Sequence, residues 1–564
     1  MLRPLLFALC AFALTACDRP APLPAPVIEG LGTHTMPITT ASPQAQRYFD
    51  QGLMLAWAFD FYEAARAFDA ALKLDSQCAM CAWGLGYATG PNINAPIRGD
   101  LSTAIGYTQR ALQLAPKATP REQALIRTLA VRYGIDAATP AAPIDPRLAP
   151  PPSLCITRPP PDADPLDLAY ANALAAVQAQ FPDDLDIALL HAESLLQLSP
   201  WDWWDKQGEP RAGTPEAVAI LEAILARNPN HAPANHYLIH AFERAPTPQR
   251  ALAAADRLGA LAPAAGHMVH MPAHIYMRLG RYADASRANR AAIDADANVA
   301  AQLRAQGFEP LSHISHHEHF LWSSATLEGR RGTALAAAQA LATKAAGGGE
   351  PFGAGGSNDY FIALPLLAQV RFGEWDAVLA APQPAGRSSF PKAVWHWARG
   401  TAFARKGEAN AAAAELTALQ AAAADPSLAD KTLKSIDPLT ALLAVGIESL
   451  QGEIALARKQ AAQAIAHLRR AVELQAELDA HEPPPWPQSL TAELGSALLL
   501  AGKPADAERA FREDLKHYPA NGWALYGLAE SLRRQGKREQ AMQAEAEFKR
   551  AWAAADSSRP EARY

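Results

Sequence analysis

Residues 490–519 read LTAELGSALLLAGKPADAERAFREDLKHYP, and the spacing inside this stretch decides the fold. Gly495 and Ala507 are small where two helices would cross, Phe511 is large, Gly502 marks a turn, and Pro519 stops the second helix. The same offsets recur upstream. Gly52, Ala64, Phe68 and Ala71 repeat them, as do Gly452, Ala464, Leu468 and Ala471, and Gly400, Gly407 and Ala412. Gly86, Ala104, Ala111 and Pro116 fit once an insertion at Gly90 to Pro96 is allowed for, and Pro229 and Pro263 lie 34 residues apart. Amphipathic helices alone would not produce such fixed offsets.

This 34-residue pattern resembles the tetratricopeptide repeat (TPR), a pair of antiparallel helices. The resemblance implies an all-α, right-handed α-solenoid of roughly a dozen repeats between about residues 44 and 555. It further implies that positions 2, 5, 9 and 12 of each first helix line a concave groove. Those positions share one side of a helix.

Composition agrees with a folded helical chain. Of the 564 residues, 49% are hydrophobic and 19% charged, and the long Ala-rich stretches favour helix. The net charge of -6 implies no basic face, which argues against nucleic acid as a partner. A protein or peptide partner is the expectation for such an array.

The N-terminus reads as an export signal. A basic start at Arg3 and an apolar run from Leu5 to Leu14 are too short to span a bilayer and fit a secretory segment. Leu14-Thr15-Ala16-Cys17 resembles a bacterial lipobox, which implies removal of residues 1–16 and lipidation of Cys17. The expected location is the bacterial cell envelope, lipid-anchored to a membrane and facing the periplasm. Residues 17–43, with prolines at 20, 22, 24 and 26, read as the lipidated Cys and an extended tether.

Beyond the tether the reading divides the chain into an N-terminal array at 44–348, a Gly-rich loop at 349–358, a C-terminal array at 359–555 and a tail at 556–564. Residues 138–165 hold ten prolines and form an insertion between repeats. Residues 347–356 hold six glycines but lack the Gly-Lys-Ser/Thr of a phosphate-binding loop.

Nine of the 16 histidines lie between His236 and His319, which makes a His-rich groove at 236–319. His236 and His240 take groove positions 5 and 9 of one repeat, and His270 and His274 take the same positions 34 residues later. His267, His316 and His319 also fall on lining positions, and Glu193 and Asp186 do so one repeat upstream. Imidazoles four residues apart on a helix can chelate one ion, with neighbouring helices supplying the rest. The expected metal ligands are therefore His236, His240, His267, His270, His274, His316, His319 and Glu193. They would hold one or two transition-metal ions such as zinc, copper or iron, with affinity falling below about pH 6 as imidazole protonates. Pro272 should kink its helix and could move His267 off the shared face.

Arg244, Arg278, Tyr237, Tyr276 and Trp322 are candidate ligand contacts, the arginines alternatively pairing with Glu243 and Asp284 on the surface. Trp201, Trp203 and Trp204 could wall the site or pack an irregular loop. His396 reads as core, and His467, His481 and His517 as surface. No His-Glu-x-x-His or Gly-x-Ser-x-Gly string occurs. The Lys and Asn by which some TPR grooves clamp a peptide carboxylate are replaced by His. Cys78-x-x-Cys81 reads as a local disulfide, with a redox pair and half a metal site as alternatives, and Cys155 has no evident partner. Three functions remain open: a metal-holding scaffold, a metal-dependent hydrolase or oxidoreductase using the same groove, and a metal-free assembly scaffold.

Overall fold

The computed structural model describes residues 25–94, 99–136, 138–144, 164–307, 314–347, 356–386, 388–434, 436–478 and 482–557. The expectations for Cys17, Cys155, His481, the signal segment, most of the Pro-rich insertion and most of the Gly-rich loop lie outside those residues.

The described chain is a right-handed α-solenoid of TPR-like helix pairs. The first four pairs are α1 (Pro43–Trp57) with α2 (Phe61–Leu74), α3 (Ala79–Ala88) with α4 (Ser102–Leu114), α5 (Pro120–Arg132) with α6 (Pro165–Gln180), and α7 (Leu185–Leu196) with α8 (Thr214–Arg227). The middle pairs are α9 (Ala232–Glu243) with α10 (Leu252–Leu261), then α11 (Gly266–His270) and α12 (Pro272–Arg278) with α13 (Tyr282–Ala305), then α14 (Ile314–Leu327) with α15 (Arg331–Ala346). The array continues through α16 (Ser357–Arg371) with α17 (Trp375–Ala380), α18 (Ser389–Arg405) with α19 (Ala409–Ala423), and α20 (Leu439–Ala457) with α21 (Ala461–Glu477). It closes with α22 (Leu490–Leu500) and α23 (Pro504–His517), then α24 (Gly522–Arg534) and α25 (Arg538–Ala551). A two-residue β-hairpin, Thr432–Leu433 against Asp437–Pro438, precedes α20.

The small-and-large rule has a direct steric cause. A Cβ added at Gly52 would meet the Phe68 ring at 2.8 Å, one at Gly452 would meet Leu468 at 2.8 Å, and one at Gly495 would meet Phe511 at 2.8 Å. In each pair the large residue lies 16 positions after the glycine and fills the space its missing side chain leaves. Gly502 serves differently: it ends its helix at φ 70°, a left-handed turn that glycine enters without penalty.

The array is not open. Residues 25–42 are no free tether, because Ala25, Ile28, Leu31 and Met36 are buried. Gln51 holds this strap through Ile28 N–H and the Pro26 carbonyl, and the Gly30 carbonyl accepts from Ala264 N–H at 3.0 Å, just past α10. At the other end the Trp523 indole donates to the Thr326 carbonyl at 3.1 Å, and the Ser557 hydroxyl to that of Gly329 at 2.8 Å. Both ends of the described chain thus return to its middle. The structure joins Cys78 and Cys81 in a disulfide at the start of α3.

Candidate metal centre

Two groups of three histidines form in the middle of the array: His236, His240 and His267, and His270, His274 and His316. All six side chains are buried. Within the first group, His236 Nε2 lies 3.0 Å from His240 Nε2 and 3.0 Å from His267 Nε2. In the second, His270 Nε2 and His274 Nε2 are 3.0 Å apart.

The far side of four of these rings fixes their tautomers. His236 Nδ1–H donates to the Trp57 carbonyl at 2.7 Å, and His240 Nδ1–H to Glu243 Oε1 at 2.9 Å. His270 Nδ1–H donates to Asn289 Oδ1 at 2.6 Å, since the Asn289 amide nitrogen is spent on the Ala285 carbonyl. His274 Nδ1–H meets Glu243 Oε2 at 2.9 Å and also Glu482. A neutral ring that donates from Nδ1 presents a bare lone pair at Nε2. In the first site this brings two lone pairs together at 3.0 Å, which is repulsive unless a cation lies between them. In the second, a charged His274 donates from Nε2 to His270 Nε2 until an ion displaces that proton. Nitrogens about 2.0–2.1 Å from an ion at tetrahedral angles are roughly 3.3 Å apart, so the spacing fits a metal.

Each triad has its own phenylalanine. Phe59 packs on His236, His240 and His267 with ring centroids 4.7, 5.3 and 5.1 Å away. Phe320 packs on His270, His274 and His316 at 4.7, 4.5 and 5.0 Å. Phe59 holds φ at 61°, a costly conformation for a bulky side chain, and this places its ring over the first triad. Trp201 and Trp203 close on His240 from another side, so the tryptophan insert does wall the site.

Burial first, then neighbouring imidazoles, push His236, His270 and His316 well below the ordinary imidazole range. That direction favours the neutral, metal-binding form of these three rings. His274 is the exception: burial would lower it, but Glu243 and Glu482 outweigh burial and raise it to about 10. Burial likewise opposes the charge on Glu243, yet His274 and His240 hold that carboxyl at about 2.

The sign follows from linkage. The His274 contribution to stability is complete below its unfolded value of 6.5 and is lost as pH rises through about 10. The Glu243 contribution is present above its unfolded 4.5 and is lost as pH falls through about 2. Metal-free protein should thus melt at progressively lower temperature as pH rises from about 7 to 10. Thermal scans of chelator-treated protein check this; a melting temperature that climbs over that interval contradicts the pairing.

Several expected residues lie elsewhere. Glu193 gives its carboxylate to the Tyr87 hydroxyl at 2.5 Å and is in neither triad; the acid that joins them is Glu243. His319 stacks on Trp322 at 5.4 Å and touches Tyr360 and Phe361, outside the second triad. Pro272 does break its helix at Met271, but His267 remains in the first triad rather than leaving it. Arg244 donates to the Trp201 carbonyl at 3.0 Å, and Arg278 to the carbonyls of Glu243 and Ala245, so both brace backbone. Tyr276 bonds Asp256 beneath Arg281, Tyr237 is fully buried among Tyr87 and Glu193, and Trp322 is core. His396 pairs with Glu415, and His467 with Glu448.

A third group, His34, Asp186 and His231, is of another kind. His34 Nε2 lies 3.0 Å from Asp186 Oδ1, and His231 Nε2 3.6 Å from the same oxygen. His231 Nδ1 accepts from Ala234 N–H at 3.2 Å, which leaves the proton of a neutral ring on Nε2, facing Asp186. That nitrogen has no lone pair to offer a metal. The group fastens the N-terminal strap to α7 and the start of α9.

No family model matches the chain, and no curated protein matches it. Among solved structures it is similar to the APC/C hetero-tetramer Cut9–Hcn1, with 13% identity, a TM-score of 0.28, and coverage of 91% of this chain and 74% of that one. It is also similar to a human IFIT1 dimer with m7Gppp-AAAA, with 11% identity, a TM-score of 0.29 and coverage of 92% of both chains.

Proposed function

We propose that this TPR-like protein holds transition-metal ions in its two three-histidine sites and is a lipid-anchored scaffold of the bacterial cell envelope. The facing Nε2 lone pairs of His236 and His240, 3.0 Å apart with tautomers set by Trp57 and Glu243, carry the metal assignment. All-imidazole donors suit zinc, copper, nickel or iron, and supply neither the oxygen cage of calcium nor the thiolates of a cluster. Metal analysis of protein purified without chelator or affinity His-tag tests this: stoichiometric transition metal is expected, and its absence after loading rejects the assignment.

The remaining TPR surface is the expected seat of a protein partner. Anchoring rests on the lipobox at Leu14 to Cys17. Cys17→Ser should release the protein from the membrane fraction or leave it unprocessed, and an unchanged lipidated product would end the lipoprotein reading.

A metal-dependent enzyme is the second reading, favoured by the count of ligands. Three protein donors leave a fourth position open. A cavity of about 40 Å³ lies against His267, lined by Ile28, Leu31, Asp60 and Asp296 among others. It has room for water, which a bound ion would acidify.

A further inference from the structure

We propose that the two triads form one paired centre in which Glu243 is a shared positioning residue, so that each chain takes up two ions. This rests on the metal reading above.

Glu243 Oε1 accepts from His240 Nδ1–H in the first triad, and Glu243 Oε2 lies 2.9 Å from His274 Nδ1 in the second. One carboxylate, 1% exposed, therefore serves one ring in each site. Its two oxygens fix both rings with Nε2 toward the ion, which orients the ligands and raises their basicity. The sites are close neighbours, with the His267 and His270 ring centroids 6.2 Å apart. Two cations this near repel in a water-poor interior, and a negative charge shared between their ligands offsets part of that repulsion. The sharing is unequal. His274 Nδ1 has a second carboxylate in Glu482, whereas the described contacts of His240 Nδ1 include Glu243 alone. The first site should depend on Glu243 more than the second does.

The test separates the sites. His316→Ala leaves the first triad intact and His236→Ala leaves the second. Cobalt(II) is the probe, read by its visible absorption and by competition titration. Wild type should bind two equivalents. In the His316→Ala background, Glu243→Ala should weaken cobalt binding roughly 10- to 100-fold. In the His236→Ala background, Glu243→Ala or Glu482→Ala alone should weaken it less than the two together.

Glu243→Gln keeps the shape and guards against a folding defect. Its single amide oxygen can serve only one of the two imidazoles. It should turn to His240, because His274 keeps Glu482, so that adding Glu482→Ala to Glu243→Gln empties the second site and spares the first. Wild type that binds two ions while Glu243→Ala alters neither site, or the second alone, overturns the sharing and leaves the metal reading standing. Wild type that binds no cobalt or zinc overturns the metal reading itself.

Discussion

Substituting alanine for His236, His240, His270 and His274 together is expected to abolish retention of zinc, copper or iron. The variant takes two of three imidazoles from each triad. One imidazole on a buried wall cannot replace the water an ion gives up on entering. The loss should also appear as stability. An ion that binds only the folded chain adds about 2.7 kcal/mol per site at a hundredfold excess over its Kd. Wild type should therefore melt higher with metal than without, and the variant should show no difference. Circular dichroism confirms that the variant keeps its helices, and a folded variant that still carries stoichiometric metal would sink the assignment.

Phe68→Ala is expected to be the most damaging single change in the N-terminal repeats. The ring is fully buried and wedged between two backbones that approach it for want of side chains. A Cβ on Gly84 would lie 2.4 Å from it, and one on Gly52 2.8 Å. Alanine leaves a cavity that two packed helices cannot close, at a cost of about 3–5 kcal/mol. Urea titration together with hydrogen exchange over α1, α2 and α3 would measure it. A loss below about 1 kcal/mol would mean that those helices collapse into the space.

The repeat register was readable because its determinants are local: Gly52 meets Phe68 through the contact of one helix pair, and spacing along the chain encodes that contact. The histidine pairs were readable for the same reason, since a 34-residue recurrence on one helix face survives folding as adjacency. What escaped the sequence are long-range partners. Glu482 joins His274 from 208 residues away, and Tyr87 takes Glu193 from 106 residues away, pairings no period announces. Glu193 did sit at a lining position; a phenol from α3 reached it before any imidazole could. In the sequence Glu243 stands out only as an alternative partner for a surface arginine, because a helical face cannot show how closely the next helix packs. Its spacing of three residues from His240 was the available signal. Phe59 lies in a turn outside the helical period, and the strap was masked by its prolines, which describe an extended chain but not where that chain docks.

Helical solenoids behave as springs: each repeat touches only its neighbours, so small rotations add up and the array stretches and coils under modest load. Here the coil is clasped. The strap holds to α7, α9 and the segment after α10, while Trp523 and Ser557 hold to α14 and the turn behind it. Stretching the array would have to break those clasps and pull His236 from the Trp57 carbonyl, so its compliance falls where the imidazoles sit. A pulling experiment should find a stiff first response and an abrupt yield instead of smooth extension. The middle of this coil is a frame held at fixed length, and any give left for embracing another molecule lies in the turns between the clasps.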